Sequence, residues 1–110
     1  MIIPDTYHMF LAGTGPNALG RLRGDFIAIF QFADAGKEVE PILHKGVDSQ
    51  RVLPGDGKID LKAYLTNLKK TGFDGCVSLE LYNPEYRKRE PVAFLEEALR
   101  KTVKVVSSAG

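Results

Sequence analysis

Three short apolar runs alternate with helical patterns along the chain. Met1-Ile2-Ile3-Pro4 opens it and leads into Asp5-Thr6-Tyr7-His8, which reads as a strand cut close to its beginning. A loop with Gly13, Gly15 and Pro16 follows, then a short helix around Asn17 to Leu22, with Asn17 as cap and Gly24 as stop. The second run, Phe26 to Phe32, is apolar on both parities. That is the pattern of a strand covered on both faces, as in parallel sheets. Ala33 to Lys58 has no strong periodicity and closes in the turn cluster Leu53-Pro54-Gly55-Asp56-Gly57. A loop of about 25 residues in a compact domain is usually functional or disordered. Asp60 can cap a helix from Leu61 to Thr71, with Leu61, Tyr64, Leu65 and Leu68 on one face and Gly72 past its end. Cys76 to Leu81 is the third run. A last helix is predicted from Pro91 to Val106, with Leu95, Ala98, Leu99, Thr102, Val103 and Val106 as its inner stripe and a frayed tail from Ser107.

Strand and helix in alternation predict an α/β fold with right-handed parallel crossovers. No internal repeat divides the 110 residues, which form one unit, 1–110. Three parallel strands leave two unpaired backbone edges, so the chain is not expected to be a stable open monomer. The hydrophobic share of 44% is too high for a disordered tail, and the net charge of +1 provides no bulk field for nucleic acid or anionic lipid. No apolar run is long enough to cross a membrane, and the N-terminus lacks the basic and apolar segments of a signal peptide. A single cysteine, Cys76, excludes an intrachain disulfide and suits a reducing cytoplasm.

Each apolar run ends in a polar side chain: Asp5, Gln31 and Glu80. Parallel α/β folds bind ligands at the carboxyl ends of their strands, so three adjacent strands could aim these groups at one point. For Glu80 the choice is between a salt bridge to a nearby Arg or Lys and a metal ligand or base. For Asp5 it is between a turn or cap residue and a ligand. Carboxylates with one imidazole, here His8, suit Mn²⁺, Zn²⁺ or Mg²⁺ with open positions for substrate oxygens. Arg51 is either a solvated loop arginine or a donor reaching over a substrate oxygen. Cys76 reads as a buried small hydrophobe. Lys69-Lys70 and Arg87-Lys88-Arg89 read as solvated faces, and His44 and Lys45 carry no spacing signal.

Taken in order, Asp5-Thr6-Tyr7-His8-Met9, Gln31-Phe32-Ala33-Asp34, Arg51 through Asp60, and Gly72 through Leu81 resemble the C-terminal part of the xylose isomerase-like TIM barrels, the sugar phosphate isomerase/epimerase family. Glu80-Leu81-Tyr82-Asn83-Pro84-Glu85-Tyr86 and the helix ending Thr102-Val103-Lys104-Val105-Val106-Ser107 continue the resemblance over nearly the whole chain. It implies a partial (β/α)₈ barrel, about three parallel β/α units corresponding to strands six to eight. A complete barrel needs about 250 residues. It also implies a divalent metal (Mn, Mg, Zn or Co) at the C-terminal face, polarising a carbonyl and a hydroxyl on adjacent carbons. Two carboxylates then move a proton through an enediolate. By position, Asp5 matches the aspartate ligand and Glu80 the last glutamate ligand, also one of the two bases. His8 and Arg51 match residues that contact substrate.

The pattern departs from the family in two places. Gln31 stands where the family has its histidine ligand, and an amide oxygen binds Zn²⁺ or Mn²⁺ much less well than imidazole. The strand carrying the first glutamate is not in the 110 residues. Metal binding by the isolated chain is therefore expected to be weak or absent. The resemblance implies a C-terminal segment of a sugar or inosose isomerase or epimerase, inactive by itself. The alternative is a non-catalytic barrel fragment acting as an oligomeric or partner-binding module. The implied partners are a small polyol or keto-sugar substrate and either further copies or a complementary N-terminal chain. An Asp-x-x-His strand also occurs in barrel endonucleases that cut DNA at abasic sites. Their Asp-Arg-His element has no counterpart in Val47-Asp48-Ser49-Gln50-Arg51-Val52, so no nucleic-acid partner is implied.

Overall fold

A computed structural model of the chain describes residues 1–41 and 48–109; His44 and Lys45 lie outside the described residues. The first extended segment ends at Asp5, which caps helix α1 (Thr6–Leu11). No helix was expected there: the run into Asp5-Thr6-Tyr7-His8 read as a strand, with a loop at Gly13, Gly15 and Pro16 after it. A helix of six residues is too short to show a period, so its capping aspartate is the only local sign of it. Helix α2 (Pro16–Leu19) and a 3₁₀ turn at Gly24–Phe26 follow. That turn takes the front of the second apolar run, and strand β1 keeps only Phe30–Phe32. Strands β2 (Asp34–Ala35) and β3 (Arg51–Val52) lie inside the segment that showed no periodicity. The remaining elements are α3 (Leu61–Lys70), β4 (Val77–Leu79), α4 (Pro84–Arg87) and α5 (Pro91–Ser108).

The predicted parallel order holds. β1 pairs with β4 in parallel, with Phe30 opposite Val77, Gln31 opposite Ser78 and Phe32 opposite Leu79. The N-terminal segment lies on the other side of β1 through parallel bridges at Ile2–Ile27 and Asp5–Gln31. Three parallel segments thus form an arc in chain order, with helices on one side and both ends open. β2 and β3 make a small antiparallel pair beyond the end of β1, with Asp34 opposite Val52 and Ala35 opposite Arg51.

The core lies between this arc and α1, α2 and α3. Tyr7, Leu19, Phe30, Phe32 and Val39 are fully buried, and Leu61, Tyr64, Leu65 and Leu68 supply the predicted face of α3. The predicted inner stripe of α5 is corrected: Ala98 is buried, but Leu95, Leu99 and Val103 are 68%, 66% and 52% exposed. A stripe this wide needs cover along its whole width, and α5 meets α3 and, through Phe94 against Tyr86, α4, while Leu95, Leu99 and Val103 lie outside those contacts. Cys76 is also exposed, at the open edge beside β4. Among the described residues, no helix is long and apolar enough to cross a membrane.

Candidate functional site

Asp5 belongs to two structures at once. Its backbone completes the strand beside Gln31, while its Oδ1 caps α1 by accepting from the N–H groups of Tyr7 (2.8 Å) and His8 (3.2 Å). The side chain is buried at the carboxyl end of the arc, and Arg51 reaches it from β3. Arg51 Nη1 donates to Asp5 Oδ1 at 3.2 Å, and Nη2 lies 3.1 Å from Oδ2. That second contact is an ion pair out of hydrogen-bonding line, so Oδ2 is buried without accepting a hydrogen bond. Arg51 also donates to Asp48 Oδ1, lies 4.7 Å above the Tyr7 ring, and places Nη2 3.2 Å from His8 Nε2. At 2% exposure it is no solvated loop residue. A guanidinium has no acceptor, so His8 must accept through Nε2 and carry its ring proton on Nδ1.

Asp34 holds Arg51 in place. It is 1% exposed, and its two oxygens accept from the backbone N–H groups of Ala35, Gly55, Gly57 and Ile59 at 2.9 to 3.0 Å. Those bonds wrap the Leu53-to-Ile59 turn around one carboxylate and fix the strand pair that carries Arg51. Gly57 is required there, because a Cβ would stand 2.2 Å from Ala35 O and 2.5 Å from Asp34 Oδ1. Burial pushes the Asp34 carboxyl above the usual carboxylate range, outweighing the four N–H donors that act the other way. A second brace comes from Asn83, which caps α4 with Oδ1 and donates from Nδ2 to Arg51 O at 3.0 Å. Sequence reasoning assigned no role to Asp34, Asp48 or Asn83. Asn83-Pro84 carried a cap signal, but the long-range bonds of Asp34 have no local signature.

Gln31 and Glu80 sit on the other two segments. Gln31 is half-buried in β1, between Asp5 on one neighbour and Ser78 on the other. Glu80 follows β4, with its N–H bonded to Phe32 O at 3.0 Å. The period of two puts it on the same face as Ser78, one step further toward the carboxyl end. Among the described residues it makes no salt bridge to Arg or Lys, contrary to that reading. The Tyr82 hydroxyl hydrogen-bonds to it instead, which raises the phenol pKa above its ordinary value. Asp5, Gln31 and Glu80 therefore share the carboxyl end and one face, with Arg51 and His8 over the Asp5 side.

The donor set decides which metals fit. Asp5 Oδ2, the Gln31 amide oxygen and the Glu80 carboxylate are all oxygens, and Asp5 Oδ2 is a buried acceptor with free lone pairs. Oxygen donors suit Mg²⁺ or Mn²⁺, whereas zinc favours imidazole and thiolate. Among the described residues, no group of three or more His, Cys, Asp or Glu side chains converges to hold a metal ion. The fit is thus to a hard cation, and incomplete.

Residues 1–101 match the family described as xylose isomerase-like TIM barrel. The inosose isomerase of Bacillus subtilis (strain 168) is 38% identical over 106 residues, 96% of this chain and 37% of that protein. The 3-dehydroshikimate dehydratase of Pseudomonas putida is 33% identical over 90 residues, 78% of this chain and 13% of that protein. A crystal structure described as IOLI protein with a binding zinc atom superposes with a TM-score of 0.89 at 36% identity, covering 99% of this chain and 38% of that one. The chain spans a little over a third of the length of the inosose isomerases it matches.

Proposed function

The chain belongs to the xylose isomerase-like TIM barrel family, and from that premise we propose that it carries part of the active site of a divalent-metal-dependent isomerase or epimerase. The substrate class is a small polyol-derived ketone, of the inosose or keto-sugar type. The observation that carries this reading is the buried Asp5–Arg51 pair at the carboxyl end of the arc, beside Gln31 and Glu80.

Asp5, Gln31 and Glu80 would hold the metal, which when bound supplies Lewis acidity to oxygens on adjacent carbons. The Arg51 guanidinium is a fixed positive charge beside those oxygens, held in place before substrate arrives. His8 presents its Nδ1 hydrogen as a donor. Glu80 takes a proton from the hydroxyl-bearing carbon; the C–H electron pair forms a C=C bond and the carbonyl π pair moves onto its oxygen, giving an enediolate that keeps the proton of the neighbouring hydroxyl. When that hydroxyl proton passes to the first oxygen and Glu80 returns its own proton to the former carbonyl carbon, the C=O re-forms on the neighbouring carbon and an isomerisation is complete; a proton delivered instead to the original carbon by a second acid on the opposite face re-forms the first C=O and gives an epimer. Tyr82 orients the Glu80 carboxylate through their hydrogen bond. Gln31 and the missing fourth ligand favour an inactive segment over a competent enzyme for residues 1–110 alone.

Calorimetric titration of the chain with Mg²⁺, Mn²⁺ and Zn²⁺ tests the site. Weak Mg²⁺ or Mn²⁺ binding is expected, lost in Glu80→Gln, while Gln31→His should raise Zn²⁺ affinity by about tenfold or more. Zinc binding indifferent to Gln31→His, or Mg²⁺ and Mn²⁺ binding indifferent to Glu80→Gln, would sink the assignment.

A further inference from the structure

We infer that Asp74–Gly75 is a site of spontaneous backbone modification, where a cyclic imide forms and opens to an isoaspartyl linkage, while the fold protects the identical dipeptide Asp56–Gly57. The inference does not depend on the chemistry proposed above.

The chain contains two Asp–Gly dipeptides, at 56–57 and 74–75. Glycine after an aspartate favours ring closure, since it has no Cβ to crowd its amide nitrogen and reaches backbone conformations closed to other residues. The structure treats the two dipeptides differently. Asp56–Gly57 lies in the turn wrapped around Asp34. Gly57 N–H donates to Asp34 Oδ2 at 3.0 Å, and Asp56 N–H donates to Leu53 O at 3.0 Å. The Asp56 carboxylate is taken as well, with Oδ2 2.6 Å from Lys101 Nζ. Both groups that would have to react, the amide nitrogen and the carboxyl, are occupied.

Asp74–Gly75 lies in the connection between α3 and β4, and both residues are exposed. Among the described residues, the Asp74 carboxylate has no ion pair or hydrogen bond, and Gly75 N–H has no acceptor. The chain is anchored on either side. Phe73 N–H donates to Thr71 Oγ1 at 3.1 Å, and Cys76 O accepts from Phe30 N–H at 3.1 Å. The two reacting groups are thus free in water within a turn held at both ends.

The reaction needs water alone. The Gly75 nitrogen attacks Cγ of the neutral Asp74 carboxyl, and an N–Cγ bond forms. The Cγ–OH bond breaks, and the hydroxyl leaves as water with the proton given up by nitrogen. Solvent water then opens the imide. Attack at Cγ restores Asp74. Attack at the main-chain carbonyl carbon of Asp74 leaves the chain running through Cβ and Cγ, with one added methylene and the carboxylate now on Cα. A Cβ on Gly75 would stand 2.7 Å from Phe73 Cζ, so the turn has little room to absorb that methylene. The added length is passed to the entry of β4, where Cys76 O and the Val77–Phe30 pair meet β1.

The test ages the folded 110-residue chain in mildly acidic buffer and digests it with trypsin, which puts the two dipeptides in separate peptides, 52–58 and 71–87. Isoaspartate in each is counted by chromatography and by methyl transfer from S-adenosylmethionine with an L-isoaspartyl methyltransferase. It is expected to accumulate about tenfold or more faster at Asp74 than at Asp56, because Gly57 N–H must first leave a carboxylate acceptor. In urea the two rates should converge. Asp74→Glu, whose longer side chain closes the ring poorly, should abolish the signal in 71–87. Absence of isoaspartate at Asp74, or equal accumulation at both sites in the folded chain, overturns the inference. So does a rate ratio that persists in urea, since sequence and not the fold would then set it. In the aged chain, Phe30 N–H should lose exchange protection in proportion to the isoaspartate at Asp74, while Gln31 N–H, bonded to Pro4 O, keeps its own. Unchanged protection at Phe30 would overturn the shift at the entry of β4.

Discussion

The Asp5–Asp34–Arg51 region and the β4–α5 unit are held by opposite means. In the first, two carboxylates and a guanidinium, each 5% exposed or less, organise the backbone around them. Asp34 alone binds four peptide N–H groups, and Arg51 binds Asp5, Asp48 and His8. In the second, α5 buries only Ala98 and keeps most of its apolar stripe in solvent. Its anchors are the Glu90 cap, the Lys101–Asp56 and Lys101–Glu97 ion pairs, and the Arg89–Glu97 pair. The first region is held by buried polar side chains that bind one another and the backbone. The second keeps most of the apolar stripe of α5 exposed among the described residues.

The contrast breaks first at Asp34. Asp34→Ala removes the acceptor of four N–H groups, those of Ala35 in β2 and of Gly55, Gly57 and Ile59 in the turn, which have no other partners among the described residues. Unpaired buried donors cost about 1–3 kcal/mol each, and water can reach some of the freed groups. A loss of about 4 kcal/mol is expected by urea unfolding, close to the whole stability of a small domain. A loss below about 1 kcal/mol would mean that the turn is held by its sequence and not by the carboxylate.

Arg51→Met comes next. It keeps the apolar stem over Tyr7 but strips Asp5 of its buried counter-charge. An uncompensated buried carboxylate costs about 3 kcal/mol or more, and the same unfolding measurement should show it. Arg51→Lys tests the fork: a single ammonium cannot serve Asp5, Asp48 and His8 together, so it should recover only part of the loss.

Much of this was legible in the residues because strand ends and helix caps are local. The arc order, the capping role of Asp60, the first-turn position of Pro91, and the placement of Asp5, Gln31 and Glu80 toward strand ends follow from patterns within a few positions. The pairing of Asp5 with Arg51 spans 46 positions, and Asp34 reaches 21 to 25 positions ahead, so no window along the chain contains either. The α5 stripe failed for a different reason. Periodicity reports that a face is apolar, not whether anything covers it, and among the described residues nothing covers Leu95, Leu99 and Val103.

Acid should separate the two regions. Glu90 is fully exposed, and the N–H groups of Ala93 and Val92 hold its carboxyl below the usual range; Lys101 and Arg89 do the same for Glu97. A carboxyl depressed in the folded state stabilises it above the unfolded pKa of about 4.3, and that contribution is lost as pH falls through the lower folded value. Asp34 runs the other way. Its folded pKa is raised, so protonation relieves a cost of burial instead of removing a stabilising charge. Lowering the pH from 6 toward 3 should therefore reduce the amide-exchange protection, measured against the intrinsic rate at each pH, in the first turns of α5 while the N–H groups of Gly57 and Ile59 keep theirs. The effect is the smallest of the three, since Glu90 is exposed and screened by salt and Glu97 is only half-buried. Protection lost together at Ala93 and Ile59 would show that α5 and the polar cluster unfold as one unit, and the division between them would fail.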